Sequence, residues 1–391
     1  VPRHRQRTAI MVGKLTSARK KVLLAGGGHA HIVALGKLQA RCAESLDITL
    51  ISPQPRTWYS GALPGAIAGH WPSDAVATNV ASLCQTKGVG FRQGTIVHLD
   101  ADGKSVTLDS GEIEHFDLLS LDVGSVTRPL AVLSGMPNAV NVRPIPEFVE
   151  RLDQAFGKAV EHGSLDIVLI GAGLAGLEIA LALSYRMSNT PGLPERSITI
   201  VEAAETILPI GPRALRGALM RALRRAGIAV LTGTQVTGHR DDQISLSTGQ
   251  SLRPHLVINC TGAAAHAWIA ESGLHTTNGF VDVDACLRSV SHPDIWASGD
   301  TSHFTRKPVP PAGVFAVRAG SILAANLCSY ADGDELTEYD PQTDYLKLVS
   351  LGAKRAIAEK FGVAVSLPGL WYLKRRIDFS FLHSHAFPAR D

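Results

Sequence analysis

Short, almost purely apolar runs closed by glycine recur along the chain. They fall at residues 21–25, 118–121, 167–170 and 256–258. Such uninterrupted runs predict strands buried on both faces, as in a parallel sheet covered by helices. Further strands are predicted at 46–51 and 198–201, and a hairpin at 89–108 around Asp102-Gly103. Helical spacing predicts helices over 29–42, 174–187, 213–226 and 314–327, and helical apolar spacing again over the C-terminal residues 345–391. Prolines at 129, 137, 144 and 146 mark a crossover between two halves.

The central half carries the clearest chemistry. After the 167–170 strand come Gly171, Gly173 and Gly176, then an Ala- and Leu-rich helix, a second strand and Glu202. Gly171 permits a tight turn, and Gly173 lets a pyrophosphate reach the backbone of Leu174 and Ala175 at the helix N-terminus. Gly176 lets helix and strand pack closely, and Glu202 can bind a ribose 2′-hydroxyl. Three glycines alone also occur in turns that bind nothing. With strand, helix, second strand and acid in order they form a dinucleotide-binding fingerprint.

A second such turn follows the 21–25 strand: Gly26-Gly27-Gly28-His29-Ala30-His31. It has His31 at the third glycine position, and Ser52-Pro53 where the acid belongs. His29 and His31 are read either as contacts to a phosphate or ring edge, or as helix N-terminal histidines without chemistry. The plan of a nucleotide turn followed by a strand ending in glycine therefore occurs twice, ending at Gly124 and at Thr261-Gly262.

The 391 residues, 45% hydrophobic with 37 glycines and 21 prolines, suit two or three domains with real cores. The net charge of +3 is unevenly spread. Residues 1–21 hold seven Lys or Arg and no acid, and residues 345–391 hold eight basic and three acidic residues, leaving an acidic body. That distribution argues against nucleic acid as a partner. Basic ends suit an anionic membrane surface, and the first 20 residues are also read as a disordered leader, with Met11 as an alternative start. The five cysteines lie far apart without metal-type spacing, which points to a reducing compartment and to no metal site. No run is read as long enough to cross a membrane.

These pieces in this order resemble the two-dinucleotide-fold flavoproteins of the pyridine nucleotide–disulfide oxidoreductase superfamily, over residues 20–330. The likeness rests on Gly-Gly-Gly-His-Ala-His, Leu-Asp-Val-Gly-Ser, Gly-Ala-Gly-Leu-Ala-Gly-Leu-Glu, Cys-Thr-Gly-Ala and Ile-Trp-Ala-Ser-Gly-Asp. Within the superfamily the chain looks most like type II NADH dehydrogenases. More closely still, it resembles the flavoprotein module associated with selenide, water dikinase, through Gly-Gly-Gly-His-Ala-His, Ile-Ser-Pro followed by Tyr-Ser-Gly-Ala-Leu-Pro-Gly, and Pro-Pro-Ala-Gly-Val-Phe-Ala-Val-Arg-Ala-Gly.

The resemblance implies an α/β fold with two Rossmann-like, three-layer ββα dinucleotide-binding domains, the NAD domain inserted in the FAD domain, plus a small C-terminal segment. The expected boundaries are 1–20 for the leader, 21–142 and 282–344 for the FAD domain, 143–281 for the NAD(P)H domain and 345–391 for the C-terminal segment. It implies FAD at Gly26, Gly28, His29, Ala30, His31, Ser52, Pro53, Gly61, Ile96, Gly124, Gly299, Asp300, Ala312, Gly313 and Val314. It implies NADH at Gly171, Gly173, Leu174, Ala175, Gly176, Glu202, Thr261 and Gly262, with Glu178 near the nicotinamide. Glu202 favours NADH over NADPH, because a carboxylate repels a 2′-phosphate.

The expected activity is hydride transfer from NADH to FAD and onward to a second small-molecule acceptor, with a quinone as one reading. The departures from the dehydrogenase pattern are Ser52-Pro53 and Ala312-Gly313-Val314, and the latter bears on the acceptor. The alternatives are a sulfide, persulfide or disulfide reductase, which needs a cysteine pair beside the flavin, and a slow-turnover redox sensor. Residues 345–391 are expected to serve as a peripheral membrane contact or a homodimer interface of a cytoplasmic protein.

Overall fold

The computed structural model describes residues 19–38 and 40–385. Most of the basic leader, residues 1–18, lies outside the described residues.

Two five-stranded parallel sheets share one plan. In the first, the order is Ile295–Ala297, Leu118–Leu121, Lys20–Ala25, Leu46–Ser52 and Gly90–Gln93. In the second it is Ala139–Asn141, Leu256–Asn259, Ser164–Ile170, Glu195–Val201 and Ala229–Leu231. Each glycine turn leaves the middle strand, flanked by the strand that ends in glycine and by the strand that follows the first helix. The register pairs Leu24 with Leu50 and Leu169 with Ile200.

Alternation along the second middle strand shows why three layers form. Ile167 and Leu169 pack with the helices, whereas Val168 and Ile170 pack with Ile244 and Leu246 of a small antiparallel sheet. Successive side chains of a strand face opposite ways, so an all-apolar strand needs a cover on each side. In the first half, Leu99 and Val106 of the 96–115 hairpins join the main core in the same way. The halves are joined by an antiparallel two-strand link, Val126–Thr127 with Ala263–Ala264, so the chain crosses and returns at one place.

The helix Gly313–Asp332 packs against the first helix, His29–Lys37. A Cβ at Gly320 would lie 2.4 Å from the Ala30 carbonyl oxygen, so only glycine allows this close crossing. Contrary to the expectation from sequence, this helix is long and apolar enough to cross a membrane. Half of it is buried within the fold, where its apolar face serves as core.

The C-terminal expectation also needs correction. Residues 347–365 form a three-stranded antiparallel sheet, Lys347–Leu351, Ala353–Lys360 and Val363–Val365, before a helix at Leu370–His385. The Ala-rich middle strand has helical propensity, but tertiary contacts override it. Gly352 (φ +80°) sits so near the second half that a Cβ would lie 2.0 Å from the Leu181 carbonyl oxygen. Phe361 and Gly362, both at positive φ, turn the next strand back.

Candidate functional site

The second glycine turn is built as its residues demand. Gly171 stands at φ +101°, and a Cβ there would lie 2.9 Å from the Cys260 carbonyl oxygen. At Gly176 a Cβ would lie 2.5 Å from the Gly171 carbonyl oxygen, so helix and strand meet only through glycine. At Gly173 a Cβ would meet no heavy atom within 4 Å. The helix Leu174–Ser188 begins there with no side-chain cap, leaving the amides of Leu174 and Ala175 facing outward from a positive helix end.

Glu202 lies at the same mouth. One carboxylate oxygen accepts from Ala172 N at 2.6 Å and the other from Ala204 N at 2.8 Å, which fixes the charge beside the turn. On the opposite lip, Gly262 takes φ +57°, and the Thr261 hydroxyl donates to Asn259 Oδ1 at 2.7 Å.

The first turn is shaped differently. Gly26 (φ +94°) lies against the backbone of Asp122, where a Cβ would stand 2.4 Å from its carbonyl oxygen. His31, in the third glycine's place, turns its ring inward. Nδ1 is 2.7 Å from the Gly26 carbonyl oxygen and Nε2 is 2.9 Å from Ser120 Oγ. Burial pushes its pKa down to about 4, so the ring is neutral and both nitrogens are occupied. The imidazole thus ties the turn to the neighbouring strand, and its ring nitrogens face the protein. His29 instead faces Tyr59 and Phe381, with ring centroids at 5.3 Å and 5.6 Å. Ser52 is buried near Gly27, where a Cβ would lie 3.4 Å from its Oγ, and Pro53 accepts from Gln93 at 3.1 Å.

Asp300 is reached from the neighbouring strand end, just after Gly299 (φ +59°). It accepts from Arg143 at 3.1 Å, and Arg143 also donates to Ser125 Oγ. A cavity of about 130 Å³ brings Gly299 and Asp300 together with Ala312 and Phe315. Ala312 is the N-cap of the helix containing Gly313 and Val314, and it provides no side-chain cap. Gly124 (φ +72°) donates its amide to Thr301 Oγ1 at 2.9 Å, holding the two strand ends side by side. Ile96 is a core residue, 7% exposed.

A third component was not visible in the sequence. The terminal helix carries Lys374 and Asp378, one turn apart, onto the 59–61 loop. Lys374 Nζ donates to the Gly61 carbonyl oxygen at 2.7 Å and to Asp378 Oδ2 at 3.0 Å, and Tyr59 donates to Asp378 Oδ1 at 3.3 Å. Phe381, one turn further on, stacks on Tyr59 at 4.8 Å. Glu178, on the helix of the second turn, accepts from Ser350 N at 2.7 Å. Burial pushes its carboxyl up and the Lys374 charge pulls it back. The only sequence signal was the i, i+4 spacing of Lys374 and Asp378, hidden within a run of basic residues. Asp122 was missed too. It interrupts the apolar run just before Gly124, and its carboxylate accepts from His31 N at 3.0 Å.

There is no disulfide among the described residues. Burial pushes the Cys84 and Cys260 thiols up to about 12, so neither is a thiolate at neutral pH.

Comparison with known proteins adds three findings. The family model described as pyridine nucleotide-disulphide oxidoreductase matches residues 20–320. Type II NADH:quinone oxidoreductases of Staphylococcus saprophyticus and Staphylococcus aureus are 25% identical over 382 residues, covering 92% of this chain and 94% of theirs. Among solved structures, NDH2 of Plasmodium falciparum superposes with a TM-score of 0.80 at 14% identity, covering 94% of this chain and 98% of that one. The sulfide:quinone oxidoreductase of Aquifex aeolicus superposes with a TM-score of 0.78 at 17% identity, covering 94% and 91%. At these identities the superpositions speak for the fold.

Proposed function

The chain belongs to the pyridine nucleotide-disulphide oxidoreductase family, and we propose that it is an FAD-dependent NADH:acceptor oxidoreductase whose acceptor is a quinone. One observation carries the reading. Glu178, on the helix of the second turn, feels the charge of Lys374, and Lys374 donates to the Gly61 carbonyl beside Tyr59, which meets His29 of the first turn, so the terminal helix bridges the two nucleotide units. The overlap with NADH:quinone oxidoreductases over 92% of this chain and 94% of theirs supports it.

Bound FAD would supply the two-electron chemistry, accepting a hydride from NADH and passing electrons on. The residues around the first turn fit such a nucleotide: a glycine turn at a helix N-terminus, a carboxylate at Asp300 for ribitol hydroxyls, and the N-terminus of the Gly313–Asp332 helix for a ring carbonyl. Gly173 admits the pyrophosphate of NADH, and Glu202 accepts from the adenosine ribose. No nucleophile or acid–base triad is required, because the cofactors hold the reacting bonds.

The terminal module also supports peripheral membrane contact. Phe361, Val363, Val365, Leu367, Tyr372 and Ile377 are exposed. They lie among Lys354, Arg355, Lys360, Arg375 and Arg376, the composition of an interfacial segment.

The test is anaerobic reduction of the purified yellow protein by NADH, followed by mixing with a short-chain quinone. Rapid bleaching and rapid reoxidation are expected; an NADH-reduced protein that quinones leave bleached would remove the quinone from the reading. Denatured protein is expected to show five titratable thiols before and after NADH reduction. A gain of two on reduction would instead indicate a redox-active cysteine pair. Replacing Glu202 with Ala is expected to raise KM for NADH about tenfold, by loss of a charged hydrogen bond, and to narrow the preference over NADPH. A wild-type protein that oxidises NADPH faster than NADH would contradict this role.

A further inference from the structure

Asp122 stands where the first turn should receive a phosphate. A Cβ on Gly28 would lie 2.3 Å from its carboxylate, and a Cβ on Gly299 would lie 2.6 Å from its Oδ1. The carboxylate thus lies between the second glycine of the turn and the strand end that presents Asp300. It accepts from the backbone amides of Ala30 and His31, donors of the first turn of the helix His29–Lys37. Those N-terminal amides have no partner within their own helix, and they are what an incoming pyrophosphate would use.

The second turn provides an internal comparison. Cys260 occupies the place of Asp122: Cys260 N donates to Ile170 at 2.8 Å, and Asp122 N donates to Ala25 at 2.8 Å. Both place a carbonyl oxygen beneath the first glycine. With a thiol at that position, a Cβ on Gly173 would meet no heavy atom within 4 Å and the helix has no side-chain cap. The first turn therefore holds a carboxylate on its helix N-terminal amides, whereas in its twin the carboxylate of Glu202 sits on the Ala172 amide before the helix, and the buried His31 ring braces the first turn.

A carboxylate and a pyrophosphate cannot share these amides while both are charged, since like charges a few ångströms apart in a poorly solvated site repel strongly. The charged groups nearby do not relieve the conflict. Asp300 adds to it, and Arg143 is engaged by Asp300 and Ser125. His31 presents a neutral ring to Gly26 and Ser120, and the His29 ring faces Tyr59 and Phe381.

Resting on the reading of the first turn as the seat of FAD, we propose that Asp122 is an internal competitor for the FAD pyrophosphate. It occupies the helix N-terminus when ionised, and it takes up one proton when FAD is seated, so FAD loading is proton-linked. Burial pushes the Asp122 carboxyl up to about 7, which sets the linkage near neutrality. Protonated Asp122 no longer opposes the phosphate, so affinity is highest below that value and falls toward tenfold per pH unit above it.

The experiment follows flavin fluorescence, which rises when FAD leaves. Diluting the flavoprotein as purified into buffers from pH 6 to 9 is expected to raise the apparent Kd for FAD roughly a hundredfold across the range. D122N is expected to hold FAD with little pH dependence, and more tightly than wild type at pH 9. D122A, which clears the amides without a substitute side chain, is expected to be flat as well. Calorimetry of FAD rebinding at pH 8 in two buffers of different ionisation enthalpy is expected to show about one proton taken up by wild type and none by D122N. Equal pH dependence in wild type and both variants, or rebinding without proton uptake, would overturn the proposal while leaving FAD at the first turn. A purified protein that holds no FAD at any pH would overturn the reading of the first turn itself, and this inference with it.

Discussion

Gly173→Val is expected to give a folded, yellow protein that NADH reduces at least about a hundredfold less efficiently. The substitution is mild for the fold. Gly173 stands at φ −69°, ψ 171°, a region open to β-branched residues, and its Cβ would meet nothing within 4 Å. It is severe for the ligand, because the new methyl groups occupy the space through which a pyrophosphate approaches the amides of Leu174 and Ala175. Losing two charge-assisted hydrogen bonds costs about 3 kcal/mol or more, which is the hundredfold. Gly171→Val is the contrasting control. Its φ of +101° and the Cys260 carbonyl 2.9 Å from a Cβ predict an unstable protein, not a selective loss of NADH. Anaerobic bleaching by NADH, compared with bleaching by dithionite, separates the two effects. A Gly173→Val variant whose KM for NADH stays within about threefold of wild type would remove this turn from the NADH site.

What the sequence revealed is what is local and made by backbone. The second turn was legible because Gly171, Gly173, Gly176 and Glu202 lie within one strand–helix–strand unit, and their tasks follow from lacking a Cβ or carrying a charge. The parallel sheets were legible for a related reason, since a strand covered on both faces must be apolar throughout. The first turn was only half legible. Its third position faces Ser120, 89 residues away, and its helix end faces Asp122, 91 residues away from His31. No local pattern shows that a histidine will turn inward or that a carboxylate will sit among the amides. The terminal module was hidden twice over. The strand at Ala353–Lys360 is rich in alanine, so local propensity pointed to helix while antiparallel pairing with Lys347–Leu351 and Val363–Val365 made it a strand. The partner of Lys374 on the 59–61 loop is 313 residues away.

Lys374→Met is expected to lower stability strongly, with a deficit that grows with pH. Lys374 is 13% exposed and Asp378 6%, and the ammonium pairs with the Asp378 carboxylate while its charge also acts on the buried Glu178. Methionine keeps the length of the stem but leaves two carboxylates withdrawn from water with no cation, at a cost on the order of 3 kcal/mol near neutral pH. Burial already pushes the carboxyls of both Asp378 and Glu178 up, and Lys374 is what pulls them back. Without it both rise further, so the folded state holds protons more tightly than the unfolded chain. A carboxylate raised in this way is best tolerated below its unfolded pKa and destabilises increasingly as pH rises. The difference in Tm between wild type and variant should therefore be small at pH 5 and large at pH 8. Lys374→Met combined with Asp378→Asn should recover part of the loss at pH 8, because it removes one of the two stranded charges. Activity should follow the same contacts. Loosening the terminal helix from Gly61 and Tyr59 frees the loop beside the first turn, so quinone reduction should fall further than reduction of a small soluble acceptor such as ferricyanide. An equal Tm deficit at pH 5 and pH 8 would show that Lys374 acts by packing its stem and not by its charge. An equal loss with both acceptors would separate the terminal helix from the path by which electrons leave.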